Sequence, residues 1–186
     1  MIDNKLIQEI YHKYGRELLI YICGFVIIRE TAEDLLHDAF VRLIMFSLNH
    51  QVDESNLRAY MYRIARNICI DYIRKNRKKH EAELHEHIEY TRSQSIHEEV
   101  EYNELKQKVS ELVDKKDPVS RSVYIMRTEL NMPYDEIAEN LGISERTAQR
   151  KMKGMLEYLT DSLEKYGFTL LLLLWMAVLI ARIVLY

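Results

Sequence analysis

The first half of the chain contains a dense run of positive charge. Between Arg58 and Lys79, eight basic residues accompany a single acid, Asp71. Tyrosine and asparagine side chains are interleaved with the arginines. This mixture offers cations to a phosphate backbone and flat or polar surfaces to unstacked bases. The pattern therefore indicates binding to a polyanion, above all to a single nucleic-acid strand, and a merely solvated helix face is the alternative.

A second group of polar side chains lies between Pro133 and Lys153. A short helix, a turn at Gly142 and a second helix capped by Ser144 are expected there. Apolar residues are predicted at the helix crossing: Ile137, Ala138, Leu141, Ile143, Ala148 and Met152. Polar residues are predicted to project from the second helix: Arg146, Thr147, Gln149, Arg150 and Lys153. Such forked donors suit base edges in a major groove, so a helix-turn-helix is favoured over an ordinary helical hairpin.

Three amphipathic helices should support the basic run. The first has apolar residues mostly four apart, from Leu6 to Phe25, and the second begins near Thr31, where Asp34 completes a helix-start signal. The third has the apolar stripe Leu57, Met61, Ile64, Ala65, Ile68 and Tyr72. The polar, irregular segment from Phe46 to Asn56 is predicted to be a loop.

The sign of the charge reverses after the basic run, and this change suggests a domain boundary. From Glu81 to Glu104, eight acids stand against Arg92 alone, and the hydrophobic pattern fades. The sequence predicts an all-α protein with two small helical domains at 1–79 and 98–165, joined by an acidic linker at 80–97. Residues 167–186 form a further, hydrophobic segment.

Composition argues against several function classes. The 186 residues include only 5 glycines and 2 prolines, with no phosphate-binding glycine loop. Cys23 and Cys69 lie far apart without a CxxC pair, so neither a metal site nor a disulfide framework is expected. No arrangement typical of a catalytic site is present. We expect no enzymatic activity, no catalytic residue, no metal and no cofactor.

The chain resembles the extracytoplasmic-function group of bacterial sigma factors, from about Ile7 to Leu163. The family's polymerase-binding pattern is present as Ala32-Glu33-Asp34-Leu35-Leu36-His37-Asp38-Ala39-Phe40. His37 stands where the family usually has glutamine. The resemblance implies that the two domains are sigma regions 2 and 4. It also implies that core RNA polymerase is contacted by Glu33, Asp34, Leu35, Asp38 and Phe40.

The resemblance also assigns the two DNA-binding groups. The family's promoter-melting helix matches the segment from Arg58 to Lys75. Residues expected at the −10 element are Arg58, Tyr60, Tyr62, Arg63, Arg66, Asn67, Arg74 and Lys75. Residues expected at the −35 element are Ser144, Arg146, Thr147, Gln149, Arg150 and Lys153. Core RNA polymerase and promoter DNA are thus the expected partners. Tyr72 is expected in the core instead.

The segment from Gly167 to Tyr186 is apolar around its helical circumference apart from Thr169 and Arg182. Its length is close to the roughly 20 residues that cross a bilayer. It predicts a single-pass anchor that holds the protein at the cytoplasmic face of the cell membrane, with an anti-sigma factor as a further candidate partner. The alternative is a hydrophobic helix that docks on protein.

Two other functions remain open from the sequence. A stand-alone helix-turn-helix regulator would bind duplex DNA without polymerase, although the segment from Ala32 to Phe40 argues against it. A membrane-tethered, anti-sigma-like adaptor would use its basic helix only as a solvated face. Promoter-specific transcription with core polymerase distinguishes both from a sigma factor.

Overall fold

The computed structural model describes residues 4–26, 28–49, 54–76 and 97–165, and every regular element in these ranges is helical. The predicted all-α class is therefore confirmed for this part of the chain. The α-helices are α1 (Asn4–Cys23), α2 (Arg29–Asn49), α3 (Leu57–Lys75), α4 (His97–Asp114), α5 (Pro118–Thr128), α6 (Tyr134–Leu141) and α7 (Glu145–Lys165). The 3-10 turn Glu54–Asn56 precedes α3.

Helices α1, α2 and α3 pack against one another and form the first lobe. Side chains from each helix meet in its core, among them Leu18, Leu43 and Met61, all fully buried. The apolar stripe predicted for α1 lies inward as expected, because residues four apart share one helix face. Tyr72 packs partly buried against this core.

Helix α2 is longer at both ends than the sequence indicated. It begins at Arg29, before the predicted start at Thr31, and Arg29 pairs with Glu33 one turn later. It continues to Asn49, so the predicted loop from Phe46 is wrong over its first four residues. One tertiary contact accompanies the extension, since the Phe46 ring packs on Tyr60 of α3. Ser47 donates a hydrogen bond of 2.7 Å to the Ile44 carbonyl within α2 itself.

Helices α4 to α7 form the second lobe, in which α7 packs against α4, α5 and α6. Gly142 ends α6 with φ 65° and ψ 39°, a left-handed conformation that glycine adopts at little cost. Its N–H bonds to the Glu139 carbonyl, and the Ile143 N–H bonds to the Ala138 carbonyl. This pair of bonds is a Schellman motif, which ends α6 and turns the chain toward α7. The predicted turn at Gly142 is confirmed.

The two lobes lie in direct contact, with α3 packed against α6 and α5. A buried hydrogen bond of 2.6 Å joins the Tyr21 hydroxyl to Ser122, and the buried apolar residues of both lobes form one continuous cluster. The predicted linker at 80–97, apart from His97, and the hydrophobic segment at 167–186 lie outside the described residues.

Candidate nucleic-acid interface

The exposed face of α3 presents the cations predicted from the sequence. Arg63, Asn67, Arg74 and Lys75 are exposed, and Arg66 is half-buried. Arg63, Asn67 and Arg74 follow one another at intervals of four and seven residues and therefore share one side of the helix. The Arg74 guanidinium donates to Asp71 at 3.0 Å, an exposed pair that water and salt weaken. This side of α3 can accept a phosphate backbone.

Tyr60 lies at the edge of that face. Its ring is half-buried against Phe46, with the ring centroids 4.8 Å apart. Burial raises the pKa of the Tyr60 phenol, and the nearby charge of Arg63 opposes this shift only in part. The phenol therefore stays neutral and keeps its hydrogen-bond donor at physiological pH.

Tyr62 occupies a different place from the one expected. It is fully buried in the first lobe, where its ring meets Tyr21 edge-on at 5.1 Å between centroids. Burial raises the pKa of the phenol well above its ordinary value. In this arrangement Tyr62 has no exposed surface through which to contact a base, and the structure places it in the core. Because it precedes exposed Arg63 by one residue, helical geometry turns the two side chains about 100° apart.

Arg58, the first cation of the run, is held by two carboxylates. Its Nε and Nη2 donate to the two oxygens of Glu17 at 3.0 Å each, and its Nη1 donates to Glu136 of α6 at 2.7 Å. Burial by itself lowers the pKa of the guanidinium, but the hydrogen bonds to Glu17 and Glu136 outweigh it and the pKa lies above its ordinary value. Arg58 is thus not available to DNA in this arrangement.

The second helix of the helix-turn-helix presents its polar side outward. Arg146, Gln149, Arg150 and Lys153 are exposed, and Thr147 is half-buried. The Ser144 hydroxyl accepts the Thr147 N–H at 3.2 Å, so its local role is to cap α7, as predicted. Ala148 and Met152 lie buried at the crossing with α6. The arrangement can present arginine and glutamine donors to base edges.

A contact that the sequence analysis missed positions α7. The Asp117 carboxylate caps α5 by accepting the Ser120 N–H at 3.0 Å, and Lys151 of α7 donates to the same carboxylate at 3.0 Å. Partial burial opposes ionisation, but the hydrogen bonds from Ser120 and Lys151 prevail and lower the pKa of Asp117 to about 2. An Asp before Pro118 is a cap signal that the sequence shows, whereas its pairing with Lys151 arises only on folding.

The predicted polymerase-binding segment lies on α2. Glu33, Asp34 and Asp38 are exposed, whereas Leu35 and Phe40 are buried. The Phe40 ring packs against the Tyr11 ring of α1, with the ring centroids 5.1 Å apart. Tyr11 is itself 52% exposed. The two apolar residues therefore support the surface from beneath, and Tyr11 supplies an exposed apolar group beside it. The apolar stripe predicted for α1 did not include Tyr11, although this residue precedes Leu18 by seven positions and therefore shares its helix face.

Within residues 4–26, 28–49, 54–76 and 97–165 there is no group of three or more histidines, cysteines or acids that is placed to hold a metal ion. No helix within those ranges combines the length and the apolar character of a membrane span.

Comparison with known proteins identifies the class. The family model of sigma-70 region 2 matches residues 10–79, and that of sigma-70 region 4 matches residues 107–153. Together these matches cover more than half of the chain, and they correspond to the first lobe and to most of the second. The protein is therefore a sigma factor of the sigma-70 type.

Two relatives from Bacillus subtilis (strain 168) narrow the class. The ECF RNA polymerase sigma factor SigM is 33% identical over 73 residues, which are 39% of this chain and 44% of SigM, so that match spans less than half of the relative. The RNA polymerase sigma factor YlaC is 29% identical over 144 residues, which are 74% of this chain and 80% of YlaC. The chain belongs to the extracytoplasmic-function group and is an alternative sigma factor.

A solved structure supports the fold. CnrH, in its complex with the cytosolic domain of CnrY, matches with a TM-score of 0.59 at 18% identity, over 88% of this chain and 90% of that one. At this identity the likeness concerns the arrangement of helices.

Proposed function

We propose that this sigma factor binds core RNA polymerase, recognises the −10 and −35 promoter elements and supports DNA melting. One observation carries the proposal: a single chain exposes two separate polar faces, the basic side of α3 and the polar side of α7, in domains that match sigma-70 regions 2 and 4. An isolated helix-turn-helix regulator would not need the first of these faces.

The α3 face suits a strand displaced from the duplex. Arg63, Arg74 and Lys75 supply positive charge along the helix, and Asn67 offers both a donor and an acceptor between them. The half-buried Tyr60 ring lies next to Arg63, and an aromatic ring has a face on which a base can stack. Melting requires such groups because the unpaired bases must be received as they leave the helix.

The α7 face suits duplex DNA. Arg146, Arg150 and Lys153 lie on one side of α7 at intervals of four and three residues, and Gln149 lies beside them. Arginine reads guanine and glutamine reads adenine through paired hydrogen bonds in the major groove. Gln149 donates to Glu145 at 2.9 Å in the structure, an exposed contact that a base can replace.

The α2 surface suits a protein partner. Glu33, Asp34 and Asp38 are exposed acids on α2, and Leu35 is buried beneath the same helix. The exposed ring of Tyr11 packs on Phe40 of the same segment. Charged residues around an apolar anchor give an interface both its affinity and its orientation. We assign this surface to core polymerase.

The proposal is tested by promoter-specific transcription with purified core polymerase and the purified chain. Asp38→Arg should abolish initiation, because it reverses charge at the polymerase surface. Arg150→Ala should weaken promoter recognition by roughly 1–3 kcal/mol, because it removes a major-groove contact. Glu164→Arg and Lys13→Ala are matched controls on exposed residues outside the three surfaces, and they should leave initiation unchanged.

Three results would contradict the proposal. Initiation that survives Asp38→Arg would remove α2 from the polymerase interface. Sequence-specific duplex binding by the chain alone, without any effect on polymerase, would identify a stand-alone regulator. A chain that supports no initiation on any genomic fragment would be a tethered adaptor.

We also propose that residues 167–186 anchor the protein to the cytoplasmic face of the membrane and that an anti-sigma factor is a further partner. Composition supports the anchor: the segment has two polar residues, Thr169 and Arg182, in about 20 positions. Truncation after Lys165 should move the protein from the membrane fraction to the soluble fraction and raise transcription in cells. If the truncated and full chains fractionate alike and give equal transcription, the anchor does not exist.

A further inference from the structure

The first turn of α7 contains an acid on the side that we assign to promoter DNA. Glu145 is exposed, and helical spacing places it on the same side of α7 as Gln149, one turn later. Its negative charge opposes the phosphate backbone, whereas the charged residues assigned to this side are all basic. Ser144 already caps the helix by accepting the Thr147 N–H. The capping bond therefore does not explain why an acid stands here.

Glu145 binds the side chain of Gln149. The Gln149 Nε2 donates to Oε1 of Glu145 at 2.9 Å. At neutral pH a carboxylate only accepts hydrogen bonds, so the amide nitrogen of Gln149 must face it and the amide oxygen must face away. Without such a partner the amide can turn over, because its two ends are nearly equal in size. Glu145 therefore fixes which edge of the Gln149 amide is presented to a ligand.

The fixed amide offers one acceptor and one donor. The amide oxygen can accept a hydrogen bond, and one of the two Nε2 hydrogens remains after the bond to Glu145 is made. Adenine presents the complementary pair in the major groove, a donor at N6 and an acceptor at N7. An adenine can therefore bind Gln149 through two hydrogen bonds while the bond to Glu145 persists.

Guanine presents a different pair of groups to the same amide. Its N7 and O6 both accept hydrogen bonds, so guanine needs both Nε2 hydrogens of Gln149. Glu145 holds one of these hydrogens, and guanine can take it only by replacing that bond. The Glu145 carboxylate would then lie close to two further acceptors, which disfavours the complex. The two residues together thus favour adenine over guanine.

An acid in the first turn of a helix also has a simpler role, because it stabilises the helix through the helix dipole. That effect depends on the charge and on its distance from the helix end, and it does not involve Gln149. The length of the acidic side chain separates the two roles. An aspartate at position 145 keeps the charge in the first turn, but its carboxylate lies one methylene group farther from Gln149.

We propose that Glu145 is a specificity-determining residue of α7, which orients the Gln149 amide so that this helix selects adenine against guanine at one position of the −35 element. This inference rests on the function proposed above, and it names one base that the helix reads. Glu145 acts through Gln149 and is therefore a positioning residue, whereas Gln149 itself contacts the base.

The test measures base preference in the complete initiation complex. A genomic fragment on which wild type is active with core polymerase is randomised at the −35 positions, and sequencing of the transcripts gives the relative activity of each base at each position. Gln149→Ala identifies the position that Gln149 reads, because the preference at that position disappears. Circular dichroism and urea unfolding verify that each full-chain variant is folded.

Wild type should prefer adenine over guanine by about tenfold at that position, as expected for one paired contact to a base edge. Glu145→Ala and Glu145→Asp should each lower this ratio to about threefold or less, and they should leave the preferences at the other −35 positions unchanged. Glu139→Ala is the matched control, because it removes an exposed acid from the neighbouring helix α6. It should keep the wild-type ratio.

An unchanged adenine preference in Glu145→Ala would overturn this inference. Wild-type behaviour of Glu145→Asp beside a relaxed Glu145→Ala would also overturn it, since the effect would then come from the charge in the first turn. Sequence-dependent initiation in which no position responds to Gln149→Ala would leave the sigma function intact and remove this inference alone. If no genomic fragment supports initiation, the proposed function fails and this inference fails with it.

Discussion

The arginines of this chain have different roles because their surroundings differ. Arg63 is exposed on α3 and can meet a phosphate, whereas Arg121 is almost fully buried and serves as a hydrogen-bond donor between the lobes. Arg58 is intermediate, with one partner in each lobe. A guanidinium offers five donors in a fixed fork, so a single residue can hold two carboxylates. The solvent exposure of each arginine therefore decides whether it holds the fold together or can bind DNA.

The Asp117 carboxylate should make stability depend on acid pH. Its pKa in the folded chain is about 2, below the ordinary value of 3.8, so the stabilisation is complete above pH 3.8 and is lost as the pH falls through about 2. Asp117→Ala should destabilise by about 1 kcal/mol at neutral pH, as expected for a lost cap. Urea unfolding at about pH 6 and about pH 3 measures the free energy of unfolding of wild type and of Asp117→Ala at each pH.

Asp117→Asn serves as the control for that measurement, because asparagine still caps a helix but cannot titrate. Both variants should lose the acid dependence that this site gives to wild type, and only Asp117→Ala should lose the cap. A wild-type chain whose stability changes with pH in parallel with both variants would show that Lys151 and Ser120 do not hold the carboxylate as described.

At the scale of elements, α6 and α7 are joined by the Schellman motif at Gly142, and the rigidity of this turn determines the direction of α7. Gly142→Ala should destabilise the chain by about 1 kcal/mol, because a Cβ disfavours positive φ. No atom lies within 4 Å of the added carbon, so the expected cost is conformational and not steric. Chemical denaturation measures it.

Gly154→Ala is the matched change within α7. Its added carbon also meets open space, but the residue is helical, so alanine should stabilise by up to about 1 kcal/mol. We therefore expect Gly142→Ala to lower the free energy of unfolding and Gly154→Ala to raise it. Equal effects would mean that Gly142 does not require its left-handed conformation.

At the scale of the whole molecule, the two lobes share one buried cluster although each also has its own helical packing. The contact combines an apolar centre around Ile125 and Phe25 with polar bonds at Tyr21, Arg121 and Arg58. Mixed interfaces of this kind resemble those between domains that move.

The sequence by itself determined the helical class, the apolar stripes, the turn at Gly142 and the exposed faces of α3 and α7, because these depend on periodicity and on local capping. It misplaced the end of α2, where Phe46 packs on Tyr60, and it assigned to DNA a tyrosine, Tyr62, that lies in the core. Both depend on contacts between residues distant along the chain.

The relative position of the lobes was decided by tertiary structure alone. The bonds of Arg58 to Glu136 and of Tyr21 to Ser122 join residues 78 and 101 positions apart. No local pattern marks such partners, since an arginine on a basic face and an acid in the first turn of a helix each have a sufficient local reading. Only folding brings them within hydrogen-bonding distance, and it thereby sets which predicted DNA contacts are free to act.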